Sequence, residues 1–221
     1  MTDFAPLLLS FEVALVATAL AGLLGIALGA ALAQWRWPGR EVADALVTLP
    51  LVLPPTVLGY YVLVAVGRDS PLGQVWEAAT GSPLVFTRAG AILAAAIGGL
   101  PLVVKAARSS LAGVDERLLH AARLAGAGPM RAFLTIRMPL ARAGLVAGLM
   151  LAFARSLGDF GVTLMVAGDI PGRTQTASLA IYDALQAGRD ADAARLAGIL
   201  GVLALAVLIA VNLLNRPRHD A

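Results

Sequence analysis

Four stretches of the chain are apolar and free of charge: residues 13–33, 45–66, 89–104 and 196–214. The first covers 21 residues, close to the roughly 20 that a helix needs to cross a hydrocarbon core of about 30 Å. It ends in Ala31-Leu32-Ala33, a small-x-small spacing like that of a signal-peptide cleavage site. No basic segment precedes it and the run is too long, so it reads as a span that is kept. The third run is shorter, but Arg88 and Lys105 at its ends can snorkel toward water. A fifth stretch, residues 143–168, is long enough to span yet contains Arg155 and Asp159. Counting it predicts an all-α bundle of about five spans, with the termini on opposite faces. The pattern shows no repeat, low-complexity tract or linker, so residues 1–221 read as one transmembrane domain.

Charge sets the orientation. Arg36, Arg40, Lys105, Arg108, Arg117, Arg123, Arg131, Arg137, Arg142, Arg216 and Arg218 fall on one side of the spans, eleven of the seventeen basic residues. Arg68, Arg88, Arg173, Arg189 and Arg195 fall on the other, and Arg155 lies within a span. The positive-inside rule places the richer side in the cytoplasm, with the N-terminus outside and the C-terminus inside.

Composition agrees and narrows the chemistry. With 59% hydrophobic and 14% charged residues and a mean hydropathy of +0.81, the chain cannot be a soluble module. It has no cysteine and two histidines, which removes thiolate and disulfide chemistry and leaves little for a metal site. Its one lysine, Lys105, follows Val104, so no Gly-Lys phosphate-binding loop exists, and ATP-driven work requires another subunit. The basic residues lie between apolar spans without a basic tail or aromatic-laced patch, which argues against nucleic acid.

The largest cytoplasmic segment, residues 106–142, reads as two short helices. Asp115 can cap the first, whose apolar positions Leu118, Leu119, Ala122 and Ala125 recur at helical spacing before Gly126 stops it. After Gly128 a second helix begins near Pro129 and runs toward Ile136, and Met138-Pro139 leads into the fourth span. A helix apolar on one side and arginine-bearing on the other suits either a groove on a partner protein or the lipid headgroups.

Two spans carry unusual residues. Residues 49–61 contain Pro50, Pro54 and Pro55, each of which removes a backbone donor, so the helix must kink or unwind there. A broken helix at membrane depth is tolerated where protein or a water-filled cavity lines it. Pro54, Pro55 and Thr56 are therefore candidates for a translocation path, with a packed kink as the alternative. In the fourth span Arg155 and Asp159 are one helical turn apart and can pair. Such residues face a bundle interior or a cavity. One reading makes mutual pairing their whole role. In the other the pair opens, Arg155 meets an anion, and Thr163, a turn further on, joins the candidate gate.

Ala121-Ala122, Gly126, Ile136, Met138 and Pro139 reproduce the spacing of the EAA loop, and the chain resembles the permeases of ABC importers. The resemblance implies that the segment around Leu118 and His120 to Gly126 docks in a cleft of an ATP-hydrolysing subunit, with Ile136 and Pro139 completing the loop. His120 stands where that family has glutamate, and Met138 replaces its leucine; Glu116, one turn earlier, is the available substitute for the missing carboxylate. His120 itself is read as an ordinary surface histidine. Residues 49–61, 153–161 and 170–176 are similar to the molybdate and tungstate branch.

That likeness implies a homodimer in the bacterial inner membrane, with the anion path at its interface. It also implies two ATP-binding subunits below, holding ATP and Mg, and a periplasmic oxyanion-binding protein above. The permease itself is expected to need no cofactor and to catalyse nothing. Sulfate and thiosulfate permeases share related prolines and charged spans. A proton-coupled secondary transporter is a rival in which Asp159 carries the proton. An intramembrane hydrolase has Ser156 but no histidine within a span. Gly25 and Gly29 read as close helix packing rather than a dimer motif, and residues 176–185 as a short helix on the outer side.

Overall fold

The computed structural model describes residues 4–34 and 38–214. Arg36, Arg216, Arg218 and His219 lie outside the described residues. Every regular element among those described is helical.

Helix α1 (Ala5–Gln34) is 30 residues long, about 45 Å at 1.5 Å per residue, enough to cross a bilayer at a tilt. It runs alongside α5 (Arg88–Ala112) in the same direction. A Cβ placed on Gly25 would lie 2.8 Å from Val103 Cβ, and one on Gly29 would lie 2.6 Å from Ala107 Cβ and 2.8 Å from the Val104 carbonyl. The Gly25-x-x-x-Gly29 pair thus lets two backbones of one chain approach, as expected of packing. Helix α8 (Met138–Leu157) returns antiparallel, with Gly99 against Ala152 and Gly148 against Ala106. These three helices enclose a core of small side chains, including Ala21, Val103 and Ala152.

The second apolar run breaks among its prolines, as their positions predict. It divides into α2 (Arg40–Val52) and α3 (Pro55–Val66), bent by 115° at Leu53-Pro54. Pro50 does not break α2; near the end of a helix one missing ladder bond is tolerated, whereas Pro54 and Pro55 together restart the chain. Twelve residues of α3 rise about 18 Å, short of the hydrocarbon thickness. Helix α2 buries no residue of its own and is held to α5 by Asp44, which pairs with Lys105 at 2.6 Å and Arg108 at 2.7 Å.

On the opposite face α4 (Pro71–Thr80) precedes α5; Ser70 caps α4 and Thr87 caps α5. The expected fourth span is also broken: α8 stops at Leu157 and α9 (Gly161–Ala167) starts after a gap of three residues. Gly158, Asp159 and Phe160 form the break, so Asp159 sits beyond the end of the helix that carries Arg155. Helix α10 (Ala177–Gln186) is the short helix anticipated near residues 176–185. Helix α11 (Asp190–Leu214) is long, apolar and largely exposed, as suits a surface turned to lipid. Among the described residues four helical stretches are long and apolar enough to cross a membrane, or five with the bent α2–α3 pair counted as one.

The segment 106–142 departs from the two-helix expectation. Helix α5 extends eight residues past Val104, taking up the first part of it. The second helix is not separate: α7 (Pro129–Ala132) passes through a π-helical turn, Phe133–Arg137, straight into α8. Pro139, which cannot donate a ladder bond, follows that turn, and the Met138 N–H reaches back to the Phe133 carbonyl.

Candidate functional site

Two places bring the sequence candidates together. The first is α6 (Glu116–Leu124) on the basic face. Asp115 caps it by accepting the Arg117 N–H at 2.9 Å. Gly126 ends it at φ 87°, where its N–H bonds the Arg123 carbonyl and the Ala127 N–H bonds that of Ala122, both at 3.0 Å. These are the two crossing bonds of a Schellman stop.

The apolar positions of α6 divide. Leu119 is buried against the body of the protein, while Leu118 is about half exposed and Leu124 is 91% exposed. His120 and Ala121 are exposed and Ala122 half-buried. Met130 and Leu134 are exposed nearby, Ile136 is half-buried and Pro139 exposed. The helix is anchored by one leucine and presents an apolar edge away from the chain, the form expected of a docking element.

Behind α6 lies a residue that spacing did not mark. Arg137 is 6% exposed; its Nε donates to the Leu111 carbonyl at 3.0 Å and its Nη2 to Glu116 at 2.6 Å. In the sequence it is one of many arginines on the more basic side of the spans. The only local signal is its place two residues before Pro139, where the helical ladder must change. Glu116, the available substitute carboxylate, is committed to this internal pair.

The second place is the break between α8 and α9. Arg155 Nη1 donates to Asp159 Oδ1 at 2.9 Å, as the spacing predicts. Asp159 Oδ2 accepts the Thr163 N–H at 3.0 Å and the Thr163 hydroxyl at 2.7 Å. One carboxylate thus balances the arginine and closes the first turn of α9. Asp159 is buried, but the Arg155 side chain keeps 33% of its surface exposed. The site is level with Gly98 of α5, where a Cβ would lie 3.7 Å from Arg155 Nη2, near the middle of that span. Ser156 donates to the Ala95 carbonyl at 3.2 Å, a helix-packing bond rather than part of a catalytic arrangement.

The two breaks meet. A Cβ on Gly161 would lie 2.7 Å from Pro55 Cβ, and one on Gly59 would lie 2.8 Å from Met165 Cβ, so α3 and α9 start together and run side by side. Pro54, Pro55 and Thr56 are exposed beside this junction, while Thr163 is buried within it. The structure therefore gathers the proline break and the charged break into one region, with Thr163 acting as support rather than as an exposed lining residue.

Comparison with known proteins gives these features a family context. Residues 21–215 match the family described as binding-protein-dependent transport system inner membrane component. The chain is 41% identical over 215 residues to the molybdenum transport system permease protein ModB of Escherichia coli K12, covering 97% of this chain and 94% of that one. It is 38% identical over 209 residues to ModB of Azotobacter vinelandii, covering 95% and 92%. A solved chain of the inward-facing MetNI methionine ABC transporter shares the fold, with a TM-score of 0.70 at 19% identity over 96% of this chain and 95% of that one.

Proposed function

This chain belongs to the family of binding-protein-dependent transport system inner membrane components, and on that premise we propose that it is the permease subunit of an ATP-driven importer carrying molybdate into the cytoplasm by alternating access. The observation that carries the substrate assignment is the nearly full-length likeness to molybdenum permeases. Tungstate, a dianion of the same shape, is expected to follow the same route.

The functional unit is a homodimer in the bacterial inner membrane. Two copies of an ATP-binding subunit lie on its cytoplasmic face and an oxyanion-binding protein on its periplasmic face. ATP and Mg are held by the ATP-binding subunits. The apolar edge of α6 formed by Leu118 and Leu124, with His120, Ala121 and Ala122 between them, seats in those subunits. Gly126 fixes where that helix stops, and Ile136 and Pro139 join the loop to α8.

The path runs past the paired breaks. Pro54, Pro55 and Thr56 on one side and Arg155 on the other line it, with Asp159 and Thr163 holding Arg155 in place. Closure of the ATP-binding subunits displaces α6, and the spans behind it rock between inward- and outward-open arrangements. Nucleotide and anion shift that equilibrium only as far as their affinities for the two arrangements differ.

Uptake of labelled molybdate by cells expressing this chain with its partner subunits tests the reading. Chain-dependent uptake blocked by excess tungstate but not by sulfate is the expected result. Strong competition by sulfate moves the substrate to sulfate or thiosulfate, and uptake that collapses with a protonophore while ATP is held constant favours proton coupling.

A further inference from the structure

The docking helix touches the rest of the chain at few points, and the most polar of these is Arg137. A buried guanidinium is costly unless its donors are satisfied. Here the donors reach two different elements. The Leu111 carbonyl belongs to the last turn of α5, where carbonyls lack helical partners and the helix dipole is negative. Glu116 belongs to the first turn of α6. Arg137 itself closes the π-helical turn that opens into α8. One side chain therefore joins the end of one span, the start of the docking helix and the base of another span.

We infer that Arg137 is a positioning residue for energy coupling: it makes α6, the end of α5 and the base of α8 move as one body when the ATP-binding subunits close. The inference rests on the docking role proposed for α6. Only Gly113, Val114 and Asp115 separate α5 from α6, and that short link alone does not fix the angle between them. The Arg137 bonds do, because moving α6 without α5 and α8 strands a buried charge. The same two spans meet beside the path, where Gly98 of α5 faces Arg155 of α8. Displacement at the cytoplasmic surface thus reaches the broken region through packed helices rather than through a flexible loop.

The test uses the complete complex of permease, ATP-binding subunit and binding protein in proteoliposomes, with molybdate taken up and ATP hydrolysed measured together. Arg137→Gln is expected to assemble and hydrolyse Mg-ATP while molybdate carried per ATP falls at least about fivefold, the low end of typical coupling between sites. Arg137→Lys, which keeps the charge but not the fork, is expected to fall between. Glu116→Gln changes a mostly exposed side chain, 57% accessible, and keeps an oxygen that can accept from Arg137, so it serves as the milder variant should Arg137→Gln not fold; its ratio is expected to drop in the same direction. A ratio unchanged in the variants, including equal losses of uptake and hydrolysis, overturns the inference. Uptake absent from the unmodified complex overturns the transport reading itself, and this inference with it.

Discussion

The Oδ2 atom of Asp159 lies 2.7 Å from the hydroxyl of Thr163 and 3.0 Å from its backbone nitrogen. With Arg155 on the other oxygen, this carboxylate makes a helix break tolerable at membrane depth by satisfying a free N–H and balancing a partly exposed arginine together. Thr163→Val removes one hydrogen bond to a charged acceptor and should cost about 1.5–3 kcal/mol. Asp159→Ala also strips Arg155 of its counter-ion, a loss of about 3–5 kcal/mol for a fully buried pair, reduced here by the partial exposure of the arginine. Thermal unfolding of the purified protein in detergent should rank Asp159→Ala below Thr163→Val. Equal stabilities would mean that Arg155 does not depend on Asp159.

Arg155 donates to Asp159 and keeps a third of its side chain exposed; among the described residues no other acceptor is bonded to it, which leaves donors to meet an oxyanion. Arg155→Gln is expected to lower molybdate uptake at least about tenfold, the effect of losing roughly 1.4 kcal/mol at one step. Arg155→Lys should retain part of it. Normal uptake by Arg155→Gln in a folded complex removes this residue from the path.

The apolar spans and the limits of α6 were legible because each rests on local signals: uncharged runs for the spans, and Asp115 and Gly126 at the two ends of the helix. The i, i+4 spacing pointed to the Arg155–Asp159 pair, but not to the break at Gly158 to Phe160 that places Asp159 outside α8. Hydropathy does not register three residues of non-helical backbone inside an apolar run. The approach of Pro55 to Gly161 was equally hidden, since it joins residues more than a hundred positions apart. Pro50, Pro54 and Pro55 looked equivalent in sequence; only the adjacent pair broke the helix. Leu118 and Leu119 are neighbours of the same hydrophobicity, and it took the placement of α6 on the bundle to show that one anchors and the other faces outward.

Glycine replacements separate contact from conformation. Gly29→Ala drives a methyl toward Ala107 Cβ and the Val104 carbonyl, backbone that cannot move aside without shifting α5, and should destabilise by about 1–3 kcal/mol. Gly198 lies in α11, where an added methyl would meet nothing within 4 Å, and Gly198→Ala should be neutral or stabilise by up to about 1 kcal/mol through its helix propensity. Unfolding temperatures of the two variants test the contrast. A Gly29→Ala protein as stable as Gly198→Ala would show that α1 does not pack closely on α5.

Gly126 presents the opposite case. A Cβ there meets nothing within 4 Å, but φ is 87°, a left-handed conformation that costs other L-residues roughly 1–2 kcal/mol. Gly126→Val therefore strains only the Schellman stop, and the bundle formed by α1, α5 and α8 should unfold at nearly its original temperature. The end of α6 is expected to change instead, lengthening or fraying past Leu124 and displacing the exposed leucine that sits next to the stop. Pull-down of the ATP-binding subunit, or ATP hydrolysis stimulated by the loaded binding protein, should fall while thermal stability is kept. If both remain normal, the edge of α6 is not the docking surface, and a membrane-surface role for that helix becomes the better account of its exposed leucines.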